Sequence, residues 1–83
     1  MAKIIVYSGD YCPFCTRAKD LLTSKGLEFE EIKVDDKPEI KKEIMGKTGM
    51  RTIPQIFIND EFIGGFSELA SLDQSGELDR KVK

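Results

Sequence analysis

The order of short apolar runs and helical segments most constrains how this chain of 83 residues can fold. An apolar run at Lys3–Tyr7 predicts a buried strand, and alternation over Leu27–Val34 predicts a second. Between them, helical spacing begins at Cys12-Pro13, where proline suits the first helical position, and Gly26 ends it. A strand, a helix and a strand in this order predict parallel pairing with a crossover helix.

A second helix is predicted after the second strand. Asp36 is expected to cap it, because Glu39 stands three residues further on, as in a capping box. Gly46 and Gly49 mark its end. This second strand–helix unit again predicts a parallel strand after the helix.

The last third of the chain predicts a hairpin followed by a helix. The runs Gln55–Ile58 and Glu61–Ile63 have the composition of strands, and Asn59-Asp60 between them suits a tight turn. Ser67 is expected to cap the third helix, and Gly76 to end it.

Together these elements predict one α/β domain over residues 1–83 in the order β-α-β-α-β-β-α. A mixed sheet of four strands flanked by helices would bury their apolar faces. Leu78 and Val82 are spaced for one further helical turn.

Composition excludes several classes of function. Hydrophobic residues make up 40% of the chain and charged residues 34%, which is typical of a compact globular protein. The net charge of −2 and the lack of a basic stripe argue against a nucleic-acid partner. No apolar run approaches the roughly 18 residues of a membrane span, and the segment before the first strand is too short for a signal peptide. We therefore expect a cytoplasmic monomer that binds neither nucleic acid nor membrane.

The chain has two cysteines and no histidine. Histidine bases and histidine ligands are thus excluded, and two cysteines alone cannot complete a tetrahedral zinc site. Cys12 and Cys15 stand where the first helix begins, near enough to form a disulfide. The helix dipole and the free N–H groups favour negative charge there, and so favour the reactive thiolate. Cys12, at the helix end, is the expected nucleophile, and Cys15 the resolving thiol.

A structural disulfide or an inert pair is the alternative to redox chemistry. Closing so short a loop would stabilise the fold by about 2 kcal/mol at most, and a reducing compartment disfavours structural disulfides. The placement of the pair between a strand and a helix favours thiol–disulfide exchange instead.

Three segments resemble motifs of the glutaredoxin family. Tyr11-Cys12-Pro13-Phe14-Cys15 is similar to the family's C-P-Y-C active site, and Thr52-Ile53-Pro54 resembles its T-V-P segment. Gly64-Gly65-Phe66-Ser67-Glu68-Leu69 resembles the G-G-x-[SD]-D-L segment. The three occur in the order and spacing of the family, and the match covers nearly the whole chain.

The resemblance implies a thioredoxin-like fold with Cys12 and Cys15 as catalytic residues. Glutathione would be the electron-donating cosubstrate, with no bound cofactor and no metal. The resemblance also implies a cis Ile53-Pro54 bond facing Cys12, and pairing of the Ile53 backbone with glutathione. The start of the third helix would hold the γ-glutamyl end. The residues expected to bind glutathione are Tyr11, Phe14, Thr52, Ile53, Pro54, Gly65, Phe66, Ser67 and Glu68.

Three positions depart from the family pattern. Gly9 stands where many members carry a lysine that meets the glycine carboxylate of glutathione. Phe14 replaces a tyrosine, and Glu68 replaces an aspartate. The candidates for a replacement cation are Lys41, Arg51 and Arg17.

The sequence therefore predicts an oxidoreductase that reduces protein–glutathione mixed disulfides and protein disulfides. Its partners would be glutathione, disulfide-bearing or glutathionylated proteins, and glutathione reductase acting through glutathione. Two alternatives stay open. One is a redoxin fed by thioredoxin reductase, against which the Ser67-Glu68 site argues, and the other is a metal or iron–sulfur carrier that uses the same thiols.

Overall fold

Strands and helices alternate along the chain before a hairpin and two final helices. The computed structural model describes residues 2–82, and residues 1 and 83 of the predicted domain lie outside the described residues. The elements are β1 (Ile4–Ser8), α1 (Pro13–Ser24), β2 (Glu30–Lys33), α2 (Pro38–Thr48), β3 (Gln55–Ile58), β4 (Glu61–Gly64), α3 (Phe66–Ser75) and α4 (Glu77–Lys81).

The four strands form one mixed sheet in the order β2-β1-β3-β4, which confirms the predicted sheet. β1 and β2 are parallel, so the first predicted crossover is also confirmed. β3 is antiparallel to β1 and hence to β2, so the parallel pairing predicted for the second unit is wrong. Hydrophobic spacing identifies α2 and β3, but it does not encode the direction in which the chain re-enters the sheet after the helix.

The direction of β3 determines what lies near the cysteines. Tyr7 of β1 pairs with Gln55, the first residue of β3. Cys12 follows β1 in the chain and Pro54 precedes β3. The antiparallel pairing therefore brings the Thr52–Pro54 segment and Cys12 to the same end of the sheet.

The hydrophobic core joins the sheet to α1, α3 and α4. Each fully buried leucine in it stabilises the fold by about 1.5–3 kcal/mol. Within α2, every residue of which is described, only Ile44 is buried, and it is not part of this core. No helix within residues 2–82 is long and apolar enough to cross a membrane. The core residues are Ile4, Val6, Ala18, Leu22, Ile56, Ile58, Leu69 and Leu78.

Prolines determine where α1 and α2 begin. Pro13 is the first residue of α1, as predicted, and Cys12 is its N-cap. α2 begins at Pro38 with Lys37 as its N-cap, so the prediction that Asp36 caps this helix is wrong. Proline suits the first helical position and disfavours helical backbone in the residue before it, which leaves Lys37 outside the helix at φ −132°.

Residues with positive φ end several elements. Gly49 (φ 77°) ends α2 and Gly76 (φ 82°) ends α3, as predicted, whereas Gly46 lies inside α2 and does not end it. Asn59 (φ 51°) and Asp60 (φ 67°) form the predicted tight turn between β3 and β4. Positive φ at both central positions matches the twist of a two-residue hairpin, and these two residue types tolerate it.

Candidate active site

Cys12 and Cys15 form a disulfide at the start of α1, with their Cα atoms 5.2 Å apart. The Cys12 backbone is extended, and its Sγ accepts a hydrogen bond from the Cys15 backbone N–H at 3.2 Å. Cys15 lies one turn inside the helix and is 1% exposed, whereas Cys12 is partly exposed. A reactant arriving from solvent therefore meets the Cys12 sulfur first.

The start of α1 favours negative charge on that sulfur. The first turn of α1 contains no acidic residue, so no carboxylate competes there for the N–H groups and the positive end of the dipole. The dipole contributes about 0.3–1 kcal/mol to an anion at such a position. Once the disulfide is reduced, the arrangement suits a thiolate that attacks, and is released from, another sulfur.

The Thr52–Pro54 segment faces the cysteines. The Ile53-Pro54 bond is cis, which confirms the expectation from the sequence. The carbonyl oxygen of Ile53 lies 3.8 Å from Cys12 Sγ. Thr52 is exposed, Ile53 half-buried and Pro54 buried, so the segment presents its first two residues outward beside the sulfur.

A buried amide that sequence reasoning missed holds this segment in place. Gln55 is fully buried, and its Nε2 donates to the carbonyl oxygens of Met50 (2.9 Å) and Thr52 (3.1 Å). Its Oε1 accepts from the Thr48 hydroxyl at 2.8 Å. A polar residue at the head of an otherwise apolar strand was the available signal, because a buried polar side chain needs partners nearby.

The start of α3 lies at the same end of the sheet. Its N-cap is Gly65, and Glu68 Oε1 accepts the Gly65 backbone N–H at 2.7 Å. Ser67 is the second helical residue and not the cap, so that prediction is wrong: the hydrogen bond from Gly65 to Glu68 stabilises an earlier start at Phe66. A Cβ at the preceding Gly64 (φ 125°) would lie 2.7 Å from the Glu68 side chain, so both space and backbone require glycine there.

A groove of about 390 Å³ runs from the Thr52–Pro54 segment to the start of α3; we call it the apolar-walled groove. Such a volume is within the range of small-molecule sites. Phe14, 53% exposed, forms a wall, with its ring centroid 6.4 Å from that of Phe66. The Arg17 guanidinium lies 5.5 Å from the Phe14 ring centroid. The lining comprises Phe14, Met50, Thr52, Ile53, Pro54, Gly65, Phe66, Ser67 and Glu68.

The groove thus brings together every residue expected to bind glutathione except Tyr11. Met50 is a lining residue that sequence reasoning missed, since nothing in its local pattern distinguishes it from a loop methionine. Tyr11 is fully exposed at φ 56° and lines a second depression on the other side of Cys12. Lys41 lies on the exposed surface of α2, and Arg51 lies beside the end of that helix. Neither cation is among the described residues that line these two depressions.

The second depression, which we call the charged groove, contains two lysines that the sequence did not single out. Lys33 Nζ lies 3.0 Å from Asp10 Oδ1, and this hydrogen bond raises the pKa of Lys33. Lys19 Nζ lies 2.7 Å from Glu31 Oε2. The parallel pairing of β1 with β2 places Lys33 near the cysteines, whereas Lys19 lies on α1 itself. The lining comprises Gly9, Asp10, Tyr11, Cys12, Pro13, Thr16, Lys19 and Lys33.

Glu31 has a second partner, the fully buried hydroxyl of Ser8, which donates to the same oxygen at 2.5 Å. The Lys19 ammonium first, and then the Ser8 hydroxyl, hold the pKa of Glu31 below its usual range. Within residues 2–82, no group of three or more histidine, cysteine, aspartate and glutamate side chains is placed to hold a metal ion.

Comparison with known proteins gives one consistent result. The family model for glutaredoxin matches residues 4–63. Glutaredoxin 3 of Escherichia coli (strain K12) is 42% identical over 83 residues, which cover 100% of both chains. A glutaredoxin from Brucella melitensis, solved in solution, has a TM-score of 0.91 at 42% identity and covers 100% of this chain and 90% of its own. A buckwheat glutaredoxin–glutathione complex has a TM-score of 0.91 at 29% identity, and the match covers 95% of this chain and 74% of the buckwheat chain. These similarities confirm the predicted thioredoxin-like fold.

Proposed function

This chain belongs to the glutaredoxin family of thiol–disulfide oxidoreductases, and from that premise we propose that its reaction depends on glutathione. Its substrates are protein–glutathione mixed disulfides and protein disulfides. The observation that carries the proposal is the apolar-walled groove, which begins beside the Cys12 sulfur and ends at the start of α3. The similar buckwheat protein forms a complex with glutathione, which supports the same ligand here.

Each end of the groove offers chemistry that suits one part of glutathione. At the Cys12 end, the backbone of Ile53 is available to pair with the extended peptide. At the other end, the N–H groups of Phe66 and Ser67 have no partner within the helix and suit the γ-glutamyl carboxylate. The exposed Glu68 carboxylate accepts from the γ-glutamyl ammonium while keeping its bond to Gly65.

The first chemical step uses Cys12 as nucleophile. Its thiolate attacks the glutathione sulfur of a mixed disulfide, so that a bond from Cys12 to glutathione forms and the substrate disulfide breaks. The protein thiol leaves as a thiolate and takes a proton from water. The apolar-walled groove holds the glutathione half, while the departing protein half faces solvent.

The second step restores the enzyme. A second glutathione thiolate attacks the glutathione held on Cys12, releasing glutathione disulfide and the Cys12 thiolate. With a protein disulfide as substrate, Cys15 instead attacks the mixed disulfide on Cys12 and releases the reduced protein. Two glutathiones then reduce the resulting bridge between Cys12 and Cys15, and glutathione reductase returns the glutathione disulfide to thiol.

The glycine carboxylate of glutathione also needs a counter-cation. Lys41, exposed on α2, or Arg51, next to Thr52 in the chain, serves as the counter-cation. Tyr11 covers the far side of the bound peptide. The protein acts in the cytoplasm, because the glutathione pool that drives the cycle is reducing there, and it acts as a monomer.

An assay of NADPH consumption tests the proposal. The substrate is the mixed disulfide of glutathione with 2-mercaptoethanol, supplied either with glutathione and glutathione reductase or with thioredoxin reductase alone. We expect turnover in the first arm and little in the second. Equal rates in both arms, or turnover by thioredoxin reductase only, would contradict glutathione dependence.

A matched pair of variants keeps that result interpretable. Ser67→Ala and Ser71→Ala each remove one exposed hydroxyl of α3, and only Ser67 lines the apolar-walled groove. The exposed Ser67 hydroxyl is a further donor to the γ-glutamyl carboxylate in this proposal, which therefore predicts a higher KM for glutathione in Ser67→Ala and no change in Ser71→Ala. Identical KM values in the two variants would place the ligand elsewhere.

A further inference from the structure

Asp35 connects the end of β2 to the loop that carries the nucleophile. Its Oδ2 accepts the backbone N–H of Asp10 at 2.5 Å, two residues before Cys12. A carboxylate acceptor makes this hydrogen bond stronger than one between neutral groups. Lys33 of β2 holds the same loop at a second point, because its ammonium forms an ion pair with the Asp10 carboxylate.

The same carboxylate fills the space in which a side chain at Gly9 would lie. A Cβ at this position would lie 2.6 Å and 2.9 Å from the two oxygens of Asp35, and 2.7 Å from Cδ1 of Ile53. The φ of Gly9 is outside the positive range, so its backbone does not require glycine. The space taken by Asp35 and Ile53 accounts for the missing side chain.

These contacts place the loop before Cys12 between Asp35 and Ile53. On one side Asp35 holds the Gly9–Tyr11 loop through the Asp10 N–H, and Tyr11 in this loop has a φ of 56°, which large non-glycine residues rarely adopt. On the other side lies Ile53, whose carbonyl oxygen is 3.8 Å from Cys12 Sγ. One carboxylate therefore determines how the loop before the nucleophile sits against the segment that faces it.

We propose that Asp35 is a positioning residue for thiol–disulfide exchange, and that Gly9 is the glycine that admits it. Asp35 touches no reacting atom; it acts by holding Cys12 at its distance from Ile53. The inference rests on the proposed role of Cys12 as nucleophile, but not on glutathione as the donor. It also predicts that Gly9→Lys, which would restore the lysine of the family pattern, displaces Asp35 and so lowers the rate.

Three variants separate positioning from charge and from folding. Asp35→Ala removes the acceptor, Asp35→Asn keeps an acceptor oxygen without the charge, and Asp36→Ala removes the neighbouring exposed carboxylate as a control. We expect Asp35→Ala to lower kcat for the mixed-disulfide substrate by about tenfold or more with little change in KM, since small misplacements of reacting groups are that costly. Asp35→Asn should stay within about threefold of the unmodified protein, and Asp36→Ala should equal it.

A second readout does not involve glutathione. The pH profile of Cys12 alkylation by iodoacetamide in the reduced protein gives the thiolate fraction from its midpoint and the intrinsic reactivity from its plateau. A change of the profile in Asp35→Ala, restored in Asp35→Asn, supports positioning. An unchanged kcat and profile in Asp35→Ala would overturn the inference, as would failure of asparagine to restore them.

Gly9→Ala tests the inference if Asp35→Ala does not fold. The added methyl group must displace the Asp35 carboxylate, so kcat should fall as it does in Asp35→Ala, and activity equal to that of the unmodified protein would overturn the inference. The same measurements distinguish a failure of this inference from a failure of the proposed function. Alkylation of Cys15 in place of Cys12 would refute the nucleophile assignment, and normal alkylation without glutathione-driven turnover would refute only glutathione dependence.

Discussion

Helices α1 and α3 begin at the same end of the sheet, yet their first turns are completed by different acceptors. At α1 the N-cap side chain is the Cys12 sulfur, which accepts the Cys15 N–H, and the first turn has no acidic residue. At α3 the N-cap is Gly65, and the carboxylate of Glu68 accepts its N–H. One end is thus completed by a sulfur that can exchange its bond with another sulfur, and the other by a carboxylate.

The same structural motif, a helix N-terminus, therefore serves two purposes in this protein. An N-terminus always has free N–H groups and a positive partial charge. Where a carboxylate already offsets part of this positive charge, the helix end is stable and suited to holding a ligand. Where a cysteine is the only acceptor from the first turn, the potential acts on the sulfur and favours its anion. Three predictions test this contrast in order of decreasing expected effect, and a fourth tests the ion pair that links α1 to β2.

Removing the sulfur at α1 should have the largest effect. Cys12→Ser eliminates the nucleophile, and we expect turnover to fall by about 1,000-fold or more, as for other catalytic nucleophiles. Cys15→Ser should retain reduction of glutathione mixed disulfides, because glutathione itself can complete that reaction. The measurement is the NADPH-coupled assay on both variants. Equal loss of activity in the two would show that the nucleophile and the resolving thiol are not separate roles.

Removing the carboxylate at α3 should affect stability and the binding of glutathione, but not the reactivity of the Cys12 sulfur itself. Glu68→Ala breaks the hydrogen bond to Gly65, and we expect the free energy of unfolding in urea to fall by about 0.5–2 kcal/mol. Glu68→Gln keeps an acceptor and should lose less. The midpoint of Cys12 alkylation against pH should be the same in both variants and in the unmodified protein. A shifted midpoint would mean that the two helix ends do not act separately.

Making α1 resemble α3 should weaken the thiolate. Thr16→Glu places a carboxylate in the first turn of α1, where we expect about 0.3–1 kcal/mol less stabilisation of the Cys12 anion, or roughly a twofold to fivefold lower thiolate fraction. The thermal midpoint should rise slightly, because acidic residues stabilise a helix start. Thr16→Gln is the matched neutral control. If glutamate and glutamine give the same alkylation profile, the potential at this end is not what activates the sulfur.

The smallest effect concerns Glu31, through which Lys19 of α1 is bound to β2. Its pKa is lowered from about 4.5 in the folded protein, so its contribution to stability is complete above that value and disappears as the pH falls through the lowered pKa. Glu31→Gln should therefore reduce the free energy of unfolding at pH 7 by less than about 1 kcal/mol, and by a smaller amount near pH 3. Urea unfolding at both pH values measures this. A difference that is equally large at low pH would indicate lost packing instead of lost charge.

Local chemistry made much of this fold predictable from the sequence. Pro13 placed the start of α1 together with its reactive N-cap, and Gly76 placed the end of α3. The Asn59-Asp60 pair fixed the hairpin. In each case the residue's own backbone preference decides the conformation, so no knowledge of distant contacts was needed. Spacing on the helix likewise predicted that Cys15 would be the less accessible of the two sulfurs.

What the sequence did not predict depends on which side-chain and strand contacts form in the folded chain, not on the backbone preference of one residue. The start of α3 at Phe66 follows from the hydrogen bond between Glu68 and Gly65, which competes with the capping preference of Ser67. The role of Gln55 requires the loop it binds. The most consequential case is β3, because its direction brings the Thr52–Pro54 segment to Cys12 and is not encoded by hydrophobic spacing. For the active site, the resemblance to the glutaredoxin family identified the three segments in the sequence. The structure adds that Asp35 and Ile53 lie against Gly9.

The outer edge of the sheet at β2 has a consequence for how the protein behaves when concentrated. This strand of four residues is at the margin of the sheet, and Glu30, Glu31 and Lys33 are exposed along it. A row of unpaired peptide groups can recruit strands from another molecule, and shortness and charge both oppose such recruitment. β2 is therefore a poor template for lateral polymerisation, and replacing the exposed Glu30 with valine or threonine would make this edge more prone to pair with another molecule.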